Sequence, residues 1–504
     1  MTASAVPQDR CDLLIVGGGI NGCGIARDAA GRGLKVVVCE QDDLAAHTSS
    51  ASTKLIHGGL RYLEYYEFGL VRKALREREL LLAAAPHIMW PLRFVMPHDS
   101  HLRPAWLIRL GLFLYDHLAR RQRLPASTGV DLQRHPAGAA LDPRFVRGFE
   151  YSDGWVDDAR LVVLNALDAR ERGASVLTQT RCESVRRDSG EWLATLRTGD
   201  GRPCELRARI VVNATGPWAS RFLRNRSPVA SDNGVRLVRG SHIVVPALFD
   251  HQYAYIFQGP DGRITFAIPF EQDYTLIGTT DVEHADDPDL PARIGEDEVD
   301  YLCRMINRYF RAHIAPADVV WRYSGVRPLL NDRSPDAPSV TRDYMLELDT
   351  DGAPLLSVFG GKLTTYRKLA EEVVDRLAPL LGNKRAAWTA LAPLPGGDLP
   401  GGSFELFLAQ AGDQWPWLPE ALRERLARAY GTRMRVLLEG ARGVRDLGAE
   451  VLPGLYEREI GYLRREEWAR TAEDILWRRS KLGLGQAPGA AGRLDEWLAA
   501  RPAG

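Results

Sequence analysis

Cysteine is scarce in this sequence: Cys11, Cys23, Cys39, Cys182, Cys204 and Cys303 are the only six in 504 residues. None falls in a CxxC pair or at metal-ligand spacing, which argues against a cysteine-held iron–sulfur cluster or any other metal site. Scattered thiols of this kind point to a reducing compartment without structural disulfides. Long apolar runs are missing as well. No stretch reaches the 18 or so residues that a membrane-crossing helix needs, and the opening MTASAVPQDR lacks the apolar core of a secretory signal. Charge of one sign is not in excess, since Lys+Arg and Asp+Glu number 65 each. No nucleic-acid partner is therefore expected, and any preference for an anion must come from a local cluster. Repeats and low-complexity tails are absent too. A protein of the cytoplasm, or of a membrane surface facing it, is what remains.

What is present is ordinary in bulk and specific in detail. Hydrophobic residues make up 45% and charged residues 26%, enough for two or three domains with their own cores. The residues before Cys11 read as a disordered lead. Strand and helix then alternate: DLLIV (12–16), a helix over Ile20–Gly31, and KVVVC (35–39), the start of a parallel sheet. Residues 161–187 read as helix then strand, 209–216 as another buried strand, and 355–361 as one more, with a helix following to about Leu380. Between them, 234–285 carries short alternating strands that predict an antiparallel second layer. Pro and Gly crowd into LAPLPGGDLPGG (391–402), the clearest linker. Beyond it, 403–504 reads as helices only.

Gly17, Gly19 and Gly22 fit a GxGxxG fingerprint in the right context, with a strand before, a helix after, and Glu40 ending the next strand. The first glycine permits the tight turn, the second lets backbone approach a pyrophosphate, and the third lets helix pack on strand. The helix N-terminus offers N–H groups to the phosphates, and Glu40 can accept from the adenosine ribose. This pattern does not separate NAD from FAD. The next segment, Thr48-Ser49-Ser50-Ala51-Ser52-Thr53-Lys54 followed by His57-Gly58-Gly59-Leu60-Arg61-Tyr62, does more. Small hydroxyl residues and a glycine pair suit backbone laid against a flat ring system, for which a simple NAD(P) dehydrogenase has no use, although composition alone reads the same stretch as a polar surface loop.

With these stretches, and with GFEYSDGWVDDARLV, VNATGPWA, GSHIVVP, IGTTDVE, YSGVRPLL and SVFGGKLTTYRKLAE, the sequence resembles the membrane-associated, FAD-dependent glycerol-3-phosphate dehydrogenases. The motifs run in family order from about residue 11 to 380, and the C-terminal portion resembles that family's cap domain. The resemblance implies an α/β fold: an FAD-binding Rossmann-like domain, a mostly antiparallel substrate-binding sheet and an all-helical cap. FAD-binding segments are expected at about 10–85, 150–225 and 325–390, substrate-binding segments at about 86–149 and 226–324, a linker at 391–402, and the cap at 403–504. It also implies that the FAD site draws on Thr48, Ser49, Ser50, Gly58, Gly59, Ala214 and Gly216. Gly360, Gly361, Leu363 and Thr364 would face the flavin at a helix N-terminus.

The implied substrate is sn-glycerol 3-phosphate, oxidised to dihydroxyacetone phosphate. A phosphate dianion needs a clamp, for which Arg61, Arg327, Arg342 and Lys362 are the candidates, because a guanidinium donates two parallel bonds. Tyr62 is a further substrate contact. His242, in GSHIVVP, is the expected base for the C2 hydroxyl, with His57 as its rival; Arg327 and Lys362 complete the catalytic set. The family implies a membrane quinone as electron acceptor, with oxygen as the alternative and a homodimer as a possible assembly. A flavin-bearing binding protein without turnover would lack these cations. Attachment to the inner face of the cell membrane would use Pro104–Leu124, where Leu107, Leu110, Leu114 and Leu118 recur at helical spacing, a pattern that an ordinary amphipathic core helix would show equally. Trp106, Phe113 and Tyr115 lie among them, and Arg103, Arg109, Arg120, Arg121 and Arg123 flank them.

Overall fold

In a computed structural model of the chain, residues 9–285, 287–330 and 343–501 are described. Residues 1–8 of the predicted lead and the predicted clamp residue Arg342 lie outside them; Arg10, at the end of that lead, already belongs to the first strand.

Strand Arg10–Val16 is almost fully buried on both faces, so it reads as a continuous apolar run rather than an alternating one. It pairs in parallel with Val36–Cys39 on one side and with Pro203–Asn213 on the other, and Pro203–Asn213 pairs in parallel with Leu355–Gly360. Helices Ile20–Gly31 and Tyr366–Leu377 pack apolar faces on this sheet through Ile25, Ala26, Leu369 and Val373. The predicted helix–strand unit at 161–187 is helix Asp158–Glu171, then Ser175–Leu177 in the parallel sheet and Thr180–Asp188 in an antiparallel extension.

The second sheet has ten strands, antiparallel except where Ala254–Gln258 runs parallel to Met89–Pro97. Its boundaries differ from the expected segments. Leu55–Ile56, Arg147–Val156 and Trp321–Leu330 all belong to it, paired to Trp155, to Met89–Pro97 and to Val235–Pro246 respectively. Hydrophobic pattern alone could not assign these strands: Leu55–Ile56 and Arg147–Val156 are buried almost throughout, and Trp321–Leu330 is half-buried without a clean alternation. The C-terminal portion has its own core around Phe407, Leu426, Tyr430, Ile460 and Leu494. It is helical, as expected, apart from one small hairpin, Glu450–Leu452 with Leu455–Tyr456.

Helix Ala105–His117 departs from the predicted stripe. Leu112 and Tyr115 face inward, whereas Trp106 is 69% and Phe113 51% exposed, with Leu110 and Leu114 beside them. No helix among the described residues is long and apolar enough to cross a membrane.

Candidate active site

One cavity of about 420 Å³ runs between the two sheets. Its first end is made by the glycine turn. Gly17 sits at φ +114°, where a side chain is strained, and a Cβ there would lie 2.5 Å from the Ala214 carbonyl oxygen. At Gly22 a Cβ would lie 2.0 Å from the Gly17 carbonyl oxygen, so helix and turn touch only because both are glycine. Gly19 differs: a Cβ would meet only the Ser49 hydroxyl, at 3.1 Å, and the residue lines the cavity. Glu40 lines it too. Its carboxylate accepts from the Gly18 N–H at 2.6 Å and the Asp42 N–H at 2.9 Å, and burial pushes its proton affinity up. Each oxygen keeps a lone pair for a ribose hydroxyl. Asp42 and His47 lie beside Glu40 as a mutual pair at 2.8 Å, so this cluster is satisfied by protein groups.

The loop after Glu40 is tied down from three directions. Ser49 accepts from the Ile20 N–H at 3.0 Å, at the start of the first helix. Thr48 donates to the Val326 carbonyl at 2.6 Å, on the strand that carries Arg327. Asp158, fully buried, accepts from the Ser52 N–H and hydroxyl and pairs with the buried Lys54 ammonium at 2.7 Å. Removing either member of such a buried pair strands the other charge, at a cost of about 3–5 kcal/mol. Further on, the Gly58 N–H donates to the Tyr115 hydroxyl at 2.8 Å, and that hydroxyl donates to Asp153 at 2.7 Å. Arg78 balances the Asp153 charge from 2.6 Å.

At the opposite end, Arg327 pairs with Asp281 and donates to the Thr279 hydroxyl at 2.7 Å. Lys362 places its ammonium 3.7 Å from the centre of the Tyr62 ring, a cation–π contact. Arg61 lines the same cavity, and its buried Nε has no hydrogen-bond partner among the described residues. The Gly360–Gly361 turn closes the wall: Asn21, from the first helix, donates to the Gly360 carbonyl at 3.3 Å. That contact brings the glycine fingerprint to the start of Leu363–Thr365, some 340 residues later.

The predicted base is set back from the cavity. His242 is fully buried and does not line the cavity. Its ring stacks on Tyr323 (centroids 4.8 Å, 12° between planes), and its Nε2 shares a 2.9 Å hydrogen bond with the Thr53 hydroxyl. Thr53 does line the cavity, so His242 meets it only through that hydroxyl. Burial, then the Arg327 and Lys54 charges, hold the ring well below the ordinary histidine pKa. His57, the rival, lies on the cavity wall, its backbone N–H donating to the Thr364 hydroxyl at 3.2 Å.

Three predicted cofactor residues also stand behind the wall. Gly22 packs on Gly17, Gly58 on Leu75 and Tyr115, and the Ser50 hydroxyl turns back to the His47 carbonyl. The remaining glycines, with Thr48, Ser49, Ala214, Leu363 and Thr364, line the cavity. Sequence reasoning quoted Thr53, Asp158, Asp281 and Tyr323 inside longer motifs but gave none of them a role of its own. The acidic pair Asp157–Asp158 before a helical pattern was a capping signal that could have pointed to Asp158. No local signal singled out the others within their motifs.

A dinucleotide cradle on a parallel sheet, facing an antiparallel sheet across one cavity, defines a flavoprotein oxidoreductase of the two-sheet type. The glycine turn that Cβ atoms would obstruct, the buried acid at the end of the next strand and the cations at the far end all fit FAD. The sequence profile of the FAD dependent oxidoreductase family matches residues 12–367, and that of the C-terminal domain of alpha-glycerophosphate oxidase matches 387–499. The chain belongs to the FAD-dependent glycerol-3-phosphate dehydrogenase family, and its cofactor is FAD. It is 55% identical to a glycerol-3-phosphate dehydrogenase of Pseudomonas aeruginosa, over 99% of this chain and 96% of that one. It is also 50% identical to D-erythritol 1-phosphate dehydrogenase of Brucella abortus, over 97% and 98%. Among solved structures, glycerol-3-phosphate dehydrogenase of Bacillus halodurans complexed with FAD superposes with a TM-score of 0.79 at 28% identity, covering 98% of this chain and 91% of that one.

Proposed function

We propose that this protein oxidises sn-glycerol 3-phosphate to dihydroxyacetone phosphate and passes the electrons to a membrane quinone. The observation that carries the reading is that Arg61, Arg327 and Lys362 line the same cavity as Thr53, which His242 backs from outside it. Bound FAD supplies the hydride acceptor, its N5. The protein's part is to hold the phosphate, orient C2 and take the hydroxyl proton. Arg327, Lys362 and Arg61 hold the dianion, with Arg342 as a further candidate and Tyr62 positioned by Lys362. Asp281 keeps the Arg327 guanidinium oriented in the absence of phosphate.

Thr53 accepts the C2 hydroxyl proton as it donates its own to His242 Nε2. A neutral His242 is the form that can accept, and its lowered proton affinity keeps it neutral throughout the working range. Phosphate arriving at Arg327 offsets one of the two cations that depress the ring, which raises its basicity when substrate is present. His57 is the alternative acceptor on the wall.

The Brucella relative favours a second reading, a phosphorylated four-carbon polyol, since the same clamp would hold its phosphate. The match to the glycerophosphate oxidase C-terminal profile keeps oxygen as the alternative acceptor. The outward face of Trp106, Leu110, Phe113 and Leu114 supports docking on the inner face of the cell membrane. A hollow lined by Arg72, Arg76, Arg120 and Arg121 lies next to it and suits anionic lipid. The test is anaerobic bleaching of the flavin in pure holoenzyme by glycerol 3-phosphate, erythritol 1-phosphate and glycerol. Bleaching by glycerol 3-phosphate at the lowest concentration supports the first reading, and preference for erythritol 1-phosphate replaces it with the second. Stoichiometric peroxide in air without quinone would make oxygen the acceptor.

A further inference from the structure

The C-terminal helical domain reaches back to the cofactor loop along two routes that the chemistry above leaves unused. The first is ionic. In the single π-helical turn Asp474–Arg479, Arg479 is fully buried and donates to both oxygens of Asp43, each at 2.7 Å. Arg478 adds a third bond to the same carboxylate at 2.8 Å. Asp43 lies three residues after Glu40 and is itself buried. Three donors therefore fix one end of the loop that runs on to Thr53, and a bidentate guanidinium fixes direction as well as distance.

The second route is aromatic. Trp477 stacks on Trp321 with centroids 4.4 Å apart and 16° between planes. Trp321 meets Tyr323 at 4.8 Å, and Tyr323 stacks on His242 at 4.8 Å. The Tyr323 hydroxyl donates to the Ser52 carbonyl at 2.8 Å, next to Thr53. Four rings thus run from the helical domain to the His242–Thr53 hydrogen bond, and the third ring also holds the loop.

We propose that Trp477 and Arg479 are positioning residues: the C-terminal domain clamps the 43–54 loop at Asp43 and, through Trp321 and Tyr323, fixes the His242 ring against Thr53. This rests on the reading that the Thr53–His242 pair takes the substrate proton. The domain is then a working part of the site as well as a neighbour with its own core. Arg479 acts on the cofactor end of the loop and Trp477 on the proton-transfer end, so their variants have different signatures.

The groups facing His242 are Thr53, the Tyr323 ring, and the Lys54 and Arg327 charges, which Asp158 and Asp281 respectively balance. Truncating Trp477 removes the support behind Trp321 and so loosens Tyr323 against His242, which eases the desolvation of the ring and moves its titration upward.

The test uses full-length holoenzyme of wild type, Trp477→Phe, Trp477→Leu and Arg479→Lys. Stopped-flow flavin reduction at saturating glycerol 3-phosphate is followed from pH 5 to 9, alongside FAD dissociation and binding of a non-reacting phosphate analogue. Trp477→Leu is expected to slow reduction by roughly 10–100-fold, the scale of a misplaced reacting group, and to raise the pH inflection. Analogue binding should stay within about twofold, since the clamp cations are untouched and only a lost hydrogen bond would change it tenfold. Trp477→Phe, which keeps a stacking face, should recover most of the rate. Arg479→Lys, losing the fork, should weaken FAD by about tenfold, the worth of one charged hydrogen bond, with the rate of the FAD-saturated protein near wild type.

A fully flavinylated Trp477→Leu protein with the wild-type rate and inflection would overturn the proposal. If that variant does not fold, Trp477→Met, which keeps bulk but no stacking ring, decides: a lowered rate with a raised inflection supports the proposal, and wild-type behaviour overturns it. Should wild type itself respond only to erythritol 1-phosphate, the substrate reading fails, and the same comparison with that compound still tests the positioning role.

Discussion

The two ends of the cavity are built by different means. The dinucleotide end is contiguous: Gly17, Gly19 and Gly22 lie within six residues, and Glu40 follows at the end of the neighbouring strand. The substrate end is assembled: Thr53 and Arg61 come from one segment, Arg327 and Lys362 from two others, and His242 stands behind them on a fourth. Contiguous geometry is fixed by backbone constraints, and its failures are steric. Assembled geometry depends on pairs such as Arg327–Asp281 and Lys54–Asp158, and its failures are electrostatic. The comparison predicts abrupt loss at one end and graded loss at the other.

The sharpest break should come within the glycine turn. Gly22→Val collides with the Gly17 backbone 2.0 Å away and should yield unfolded protein, because neither partner is a flexible side chain. Gly19→Val meets only a serine hydroxyl and should give a folded protein without FAD, with a normal far-ultraviolet dichroism spectrum. Equal behaviour of the two variants would remove the distinction between packing and cofactor glycines.

Next in size is the proton acceptor. His242→Gln should slow anaerobic flavin reduction by roughly 10²–10⁴-fold with analogue binding retained. For wild type the rate should rise with pH through an inflection below the ordinary histidine value of about 6.5, because burial and two cations favour the neutral ring. A mutant with the wild-type rate and inflection would move the role to His57.

Arg327→Ala should be gentler, weakening phosphate-analogue binding by about 1.5–3 kcal/mol in a fully flavinylated protein. Part of that loss comes from the Asp281 carboxylate left facing the phosphate, so adding Asp281→Asn should restore some binding. An unchanged Michaelis constant in Arg327→Ala would take the residue out of the clamp.

The smallest effect tests assembly away from the cavity. His87 is fully buried where the linker crosses the first domain, and a Cβ at Gly396 would lie 3.1 Å from its Nε2. Neither ring nitrogen has a hydrogen-bond partner among the described residues. Burial, followed by the Arg160 and Arg428 charges, pushes its pKa down to about 3. Between that value and the unfolded value of about 6.5 the unfolded chain binds the extra proton, so stability falls as pH falls through this window and is whole above it. The slope from this one group is at most about 1.4 kcal/mol per pH unit, and His87→Leu should flatten it. Thermal midpoints from pH 4 to 8 give the answer, and an identical slope in the variant would show that His87 is not its source.

The legible parts of the site were those whose chemistry is local. A glycine that must admit a backbone oxygen, or an acid closing a strand, leaves its mark within the segment that uses it. Asp281 could not be found in this way, because its partner Arg327 lies 46 residues on and reaches it across a sheet. The placement of His242 was also illegible. A histidine in a buried strand has the same local sequence whether it faces the cavity or stands behind a threonine.

Sequence by itself determined the parallel core and the helical C-terminal domain, since periodicity and turn chemistry act over a few residues at a time, and the resemblance of its long motifs gave the family and the cofactor. Only the tertiary structure decided which strands join the second sheet, that Thr53 stands between His242 and the cavity, and that Arg479 of the last domain grips Asp43 of the first. Those outcomes depend on which surfaces exclude water from one another, and desolvation is a property of the packed whole rather than of any segment.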